Sequence, residues 1–118
     1  MPQKLGEMVW LFDFYGELLT KKQQEIFKLY YFQDLSLAEI AENYSISRQA
    51  VYDIIKRTEE LLTEYEQKLN LYKKFLYQKQ ELEKLRTLLL NLDMNYDKKT
   101  IQQSIQCLDD LIKLTTCD

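Results

Sequence analysis

The apolar positions between Leu37 and Arg57 predict two short helices joined by a tight turn. In LAEIAENYSISRQAVYDIIKR, Ile40, Ala41 and Tyr44 share one face of a first helix. Ile46 follows in the turn, and Val51 and Ile54 recur at helical spacing on a second helix. Ala41 falls where two steeply crossing helices come closest, which calls for a small side chain. The capping residues agree with this parse. Ser36 with Glu39 and Thr20 with Gln23 have capping-box spacing, while Ser47 can cap the second helix without a box, because Ala50 has no carboxylate. The turn calls for positive φ at Ser45, a role usually served by glycine, at a cost on the order of 1 kcal/mol. The pattern is that of a helix-turn-helix; the plainer alternative is a pair of adjacent amphipathic helices in a bundle.

Flanking segments are helical too. A first helix is predicted over about Leu5–Tyr15 on Met8, Val9, Leu11, Phe12 and Tyr15, loosening at Gly16. A second, Lys21–Phe32, turns Ile26, Phe27, Leu29, Tyr30 and Phe32 inward or toward neighbours. The fourth has no stop signal at Arg57 and continues through Glu66 and beyond, with Leu62, Tyr65, Leu69, Tyr72 and Leu76 at alternating spacings of three and four. Leu82, Leu85, Leu89 and Leu92 resume one position out of phase. That slip implies either a break near Gln78–Gln80 or a stripe winding around one long helix. The polar stretch Asn91–Asp97 makes a turn, and Thr100–Leu114 forms a last helix on Ile101, Ile105, Leu108 and Ile112.

Composition supports an all-α chain of one domain with a helical appendage. Of 118 residues, 46% are hydrophobic and 30% charged; the single proline is Pro2 and the two glycines are Gly6 and Gly16. Residues 17–118 therefore hold neither of the strong helix breakers. The expected architecture is a wingless, winged-helix-like helix-turn-helix unit of three to four helices over residues 1–66. A helical extension follows over residues 67–118. The stripe from Tyr65 to Leu92, roughly 45 Å long if continuous, exceeds what the last helix can cover, which predicts a homodimer held by the extension. The competing outcome is a monomer whose long helix breaks near Gln78 and folds back as a hairpin. A two-fold pair would set two recognition helices about 34 Å apart for consecutive major grooves. No membrane span or signal peptide is expected. Cys107 and Cys117 suit reduced thiols in a cytoplasmic protein.

Charge refines the partner. The net charge is −3, unlike a protein that coats DNA. Residues 20–57, however, carry six basic and five acidic side chains, whereas residues 1–19 carry one against three and residues 93–118 three against five. The mildly basic part coincides with the helix-turn-helix. Its second helix directs Ser47, Arg48, Gln49, Tyr52, Asp53, Lys56 and Arg57 outward, a set suited to base edges and phosphates. Lys21, Lys22 and Lys28 are further phosphate candidates.

Catalysis finds no support. Histidine is absent, so no Ser/His or Cys/His pair can be built. Glu59/Glu60 and Asp109/Asp110 are adjacent and point apart on a helix, and Glu60/Glu64 read as a solvated face. Asp93–Asp97 resembles the start of a calcium loop but has Lys98 in the glycine position and Ser104 in place of the last carboxylate. No catalytic residue, metal or cofactor is expected.

The run EIAENYSISRQAVYDIIKR is similar to the region-4 helix-turn-helix of bacterial sigma factors, which reads the −35 promoter element. The wider segments LFDFYGELLTKKQQEIFKLYYFQDLSLAEIAE and SISRQAVYDIIKRTEELLTEYEQKL resemble the YlxM family of Firmicutes-type bacteria, over roughly the first two-thirds of the chain. That resemblance implies a small cytoplasmic DNA-binding protein encoded beside the signal recognition particle, with a regulatory role in protein targeting. Likeness to sigma region 4 implies that Ser47, Arg48, Gln49, Tyr52, Asp53 and Lys56 face the groove. Asp53 departs from the basic or amide residue useful there. Two functions stay open: a dimeric regulator bound to double-stranded DNA, or an accessory factor contacting the RNA or a protein of the signal recognition particle.

Overall fold

Three helices begin at the caps the sequence marks, and two of these end at left-handed residues that are not glycine. The computed structural model describes residues 2–92 and 97–114, with side chains from Gly6 onward. It contains α1 (Pro2–Tyr15), a short 3-10 turn (Gly16–Leu18), α2 (Lys21–Tyr31), α3 (Leu37–Tyr44), α4 (Arg48–Leu69), α5 (Leu71–Leu92) and α6 (Lys98–Leu114). There is no strand among the described residues. Asp93–Tyr96, most of the proposed turn and calcium-like stretch, and Cys117 lie outside them. Two compact units divide the chain, residues 1–72 and 73–118.

Each expected cap of the first unit is formed. Thr20 accepts from the Gln23 amide while Gln23 Oε1 accepts from Thr20 N–H at 3.0 Å, and Ser36 and Glu39 make the same reciprocal pair. That bond to the Ser36 N–H lowers the Glu39 pKa. Ser47 accepts from Ala50 N–H at 3.0 Å. Between α3 and α4 the chain turns at Ser45 (φ 55°, ψ 42°). Ile46 N–H donates to Ala41 C=O and Ser45 N–H to Glu42 C=O, a Schellman closure that satisfies the last carbonyls of α3. Ile46 then packs beside Ala41, Ile40 and Val51. Since serine pays for the left-handed conformation, Ser45→Gly is expected to raise stability by about 1 kcal/mol. A thermal midpoint unchanged or lowered in that variant would contradict this account of the turn.

Two adjoining clusters form the core of the first unit. One gathers Met8, Leu11, Tyr15, Leu19, Phe27 and Leu62; the other gathers Ile26, Ile40, Ala41, Val51 and Ile55. Helices α2 and α4 contribute to both and so tie α1 to the helix-turn-helix. The inward face of α4 is Val51, Ile55, Thr58 and Leu62. Ile54, expected to lead that face, is only half-buried at its edge. The polar Thr58 is admitted because its hydroxyl donates to Ile54 C=O at 2.7 Å.

Helix α4 stops sooner than the stripe suggested. Asn70 (φ 56°) ends it, and a new helix starts at Leu71; the break falls there and not near Gln78–Gln80. Asparagine tolerates the left-handed region, and tertiary bonds cap the new start. Tyr15 Oη accepts from Leu71 N–H at 3.0 Å and donates to Glu66 Oε1 at 2.6 Å; Tyr72 N–H donates to that same oxygen at 3.0 Å. Tyr65 and Tyr72 consequently pack against the core of the first unit and are not part of a continuous outward stripe.

Further tyrosine–glutamate bonds join Tyr31 to Glu59 and Tyr44 to Glu25, linking α2 to α4 and α3 to α2. Burial and the carboxylate partner raise the pKa of Tyr15, Tyr31 and Tyr44 above the usual 10.0. For a tyrosine so raised, the stabilisation is complete below the unfolded value and is lost as pH climbs toward the folded one. Stability should therefore fall above pH 10, and Tyr31→Phe should decline less steeply. A thermal midpoint that falls equally in both proteins would refute the assignment to Tyr31.

In the second unit α6 starts at Lys98, where Asp97 Oδ1 accepts from Thr100 N–H at 2.6 Å. Its buried residues are Ser104 and Cys107, and Cys107 lines a cavity together with Lys84 and Leu88 of α5. The anticipated stripe is corrected: Ile105, Leu108 and Ile112 stand 51%, 45% and 59% exposed, and only Ile101 is half-buried. The covered face of α6 runs instead through Ile101, Ser104, Cys107, Leu111 and Leu114, and the Ser104 hydroxyl is admitted there because it donates to Thr100 C=O at 2.9 Å. Leu82 and Leu89 on α5 are also half exposed.

Candidate nucleic-acid interface

Helix α4 presents the candidate residues because its opposite face is anchored in the core. With Val51, Ile55 and Thr58 fully or almost fully buried, a 3.6-residue period turns Gln49, Tyr52, Asp53 and Lys56 to solvent. Ser47, Arg48 and Arg57 are exposed as well. Ser47 serves as the N-cap, so its hydroxyl is engaged with Ala50 N–H and the first turn of α4 is fixed.

Two grooves flank this face. On one side Tyr30 and Leu37 meet Tyr52, Lys56 and Glu59, where the hydroxyl of Tyr31 holds the Glu59 carboxylate. On the other, a hollow of about 380 Å³ lies between the start of α2 and α4, lined by Thr20, Lys22, Gln23, Asp53, Ile54 and Arg57. Lys22 and Arg57 thus line the same hollow. Exposed Lys21 neighbours this edge in sequence but does not line the hollow, and Lys28 lines a different groove with Asp13 and Glu17. Tyr30, Thr20 and Gln23 were not anticipated at the interface. Tyr30, expected to turn inward or toward neighbours, is 37% exposed, and nothing in its spacing distinguishes it from the apolar residues around it.

Cations on the face are largely uncommitted. Among the described residues Arg57 has a 3.8 Å contact with Glu60, both well exposed, while Arg48, Lys56, Lys21 and Lys22 make no ion pair. An exposed pair of this kind is worth little and yields to a phosphate. Glu64 pairs with Lys68 at 3.3 Å, so Glu60 and Glu64 form the solvated charged face their spacing implied. Gln49 Nε2 donates to Asp53 Oδ1 at 3.0 Å. No cluster of metal-ligating side chains is found among the described residues, and no described helix is long and apolar enough to cross a membrane.

An all-helical chain with a capped helix-turn-helix and an exposed second helix defines the class as a helix-turn-helix protein. Residues 3–112 match the family described as "Putative helix-turn-helix protein, YlxM / p13 like" (UPF0122), and the chain belongs to that family. It is 48% identical over 107 residues to a UPF0122 protein of Bacillus pumilus (strain SAFR-032), covering 91% of this chain and 97% of the relative. To a UPF0122 protein of Bacillus mycoides (strain KBAB4) it is 49% identical over 110 residues, 92% of this chain and all of the relative. The match extends well beyond the first two-thirds of the chain, where the sequence resemblance was clearest. The family is described by its helix-turn-helix and not by an enzymatic activity.

Proposed function

We propose that the protein is a cytoplasmic DNA-binding regulator of transcription that lays α4 in the major groove. Arg48, Gln49 and Tyr52 meet base edges, and Lys56, Arg57, Lys21 and Lys22 hold phosphates on either side. The observation that carries this reading is the joint exposure of Arg48, Gln49 and Lys56 on the helix that follows a closed turn. The first turn of such a helix is what reaches base edges in proteins of this class. In the same reading residues 67–118 form a dimerisation extension, supported by the half-exposed Leu82, Leu89, Ile105 and Leu108 on its two helices. Regulation of the signal recognition particle pathway rests on the family resemblance alone, and the particle's RNA is the competing ligand.

The test is a titration of random duplex DNA, a duplex selected from a random pool, and the particle's RNA across a salt series. Affinity for duplex should fall steeply with salt. Arg48→Ala should lose about 1–3 kcal/mol on the selected duplex, whereas Lys56→Ala should weaken every duplex alike. Salt-sensitive binding to the RNA alone would replace this reading with the accessory-factor one, and no nucleic-acid binding would leave a protein-contact surface.

A further inference from the structure

An acidic residue in the middle of a DNA-reading face needs a physical reason, and the structure offers one. Asp53 lies one turn beyond Gln49 on the exposed side of α4, and Gln49 Nε2 donates to its Oδ1 at 3.0 Å. An ionised carboxylate only accepts hydrogen bonds, so the nitrogen of the Gln49 amide, and not its oxygen, must face Asp53. The two-fold flip otherwise open to a free glutamine amide is removed. What remains unused on Gln49 is Oε1 and the second hydrogen of Nε2. These are the acceptor and donor that match the N6 amino group and N7 of adenine in the major groove.

We propose that Asp53 is a positioning residue that presents the Gln49 amide in the orientation that reads adenine. The inference rests on the DNA-binding reading above and adds to it one base preference and the residue that enforces it. Asp53 does not touch the base. It orders the amide before DNA arrives, so less side-chain freedom is lost on binding. Gln49 is the second residue of α4 and sits in the first turn, beside the N-cap Ser47, where base contacts are made. The carboxylate repels phosphates at the same time, so Asp53 lowers overall affinity while it sharpens the choice of base.

These opposed effects make the proposal testable in the full-length protein. A duplex selected from a random pool is titrated, then re-titrated with each A·T pair replaced in turn by G·C. Wild type should lose between about 5- and 150-fold at one A·T pair. Gln49→Ala should abolish that discrimination. Asp53→Ala should abolish most of it while binding all duplexes more tightly, and Asp53→Asn, which keeps an acceptor without the charge, should retain more discrimination than Asp53→Ala. If Asp53→Ala and Asp53→Asn tighten binding alike and leave the discrimination intact, Asp53 acts through charge only and the proposal is overturned. It is equally overturned if no A·T pair depends on Gln49. Absence of duplex binding by the wild type is a separate outcome, which removes the DNA reading itself. Thermal midpoints of the variants, expected to match wild type because both positions are exposed, show that each is folded.

Discussion

Tyr15→Ala is expected to destabilise the first unit by about 3–5 kcal/mol, a large share of the stability of any small domain. Tyr15 is 1% exposed and packs with Met8, Leu11, Leu19, Phe27 and Leu62. Truncation leaves a ring-sized void where α1, α2 and α4 meet. It also strips the acceptor from Leu71 N–H and one donor from Glu66. Tyr15→Phe separates the two contributions: it keeps the ring, loses only the hydroxyl, and should cost about 1–3 kcal/mol. The measurement is chemical denaturation monitored by helicity. If Tyr15→Phe is as stable as wild type, the hydroxyl does not hold the start of α5, and the capping role assigned to it fails.

That hydroxyl also marks where the sequence stops being readable. The helix-turn-helix was legible because its signals are local: caps at Thr20, Ser36 and Ser47, the apolar periodicity through Ile40, Ala41 and Val51, and the serine that must turn left-handed. Likewise the exposure of Arg48, Gln49, Lys56 and Arg57 follows from periodicity once the inner face is known. The break at Asn70 is not local in this sense. No glycine or proline announces it, and its new helix is capped by a tyrosine 56 positions earlier. A stripe of Leu62, Tyr65, Leu69 and Tyr72 therefore reads as one helix although two elements share it. In α6 the apolar stripe named the wrong face: the covered side runs through Ile101, Ser104, Cys107, Leu111 and Leu114, and the polar Ser104 in its middle, its hydroxyl bonded to Thr100 C=O, hid that phase. The Gln49–Asp53 bond lies between these cases. Its spacing of four was visible in the sequence, yet an acid there read as a defect in recognition until the amide was seen to bond to it.

The dimer proposed above predicts that replacing Leu82 and Leu89 together by glutamate yields a monomer. The two residues are seven apart, hence on one face of α5, and are 54% and 51% exposed within their own unit. Substitution should therefore leave the fold of a single chain intact, since glutamate is a good helix former and neither side chain belongs to the buried core. Across a two-fold axis the same change sets four carboxylates into an apolar contact, where unpaired charges are strongly unfavourable. Sedimentation equilibrium at micromolar concentration should give wild type about twice the 14.3 kDa chain mass and the variant a single chain. The functional consequence is separable from stability. A monomer engages one half-site, so the variant should lose most of its affinity for a duplex with two half-sites about one helical turn apart while binding a single half-site as wild type does. A wild-type protein that sediments as a single chain would sink the dimer, and the exposed leucines would then have to be explained by a partner other than a second copy.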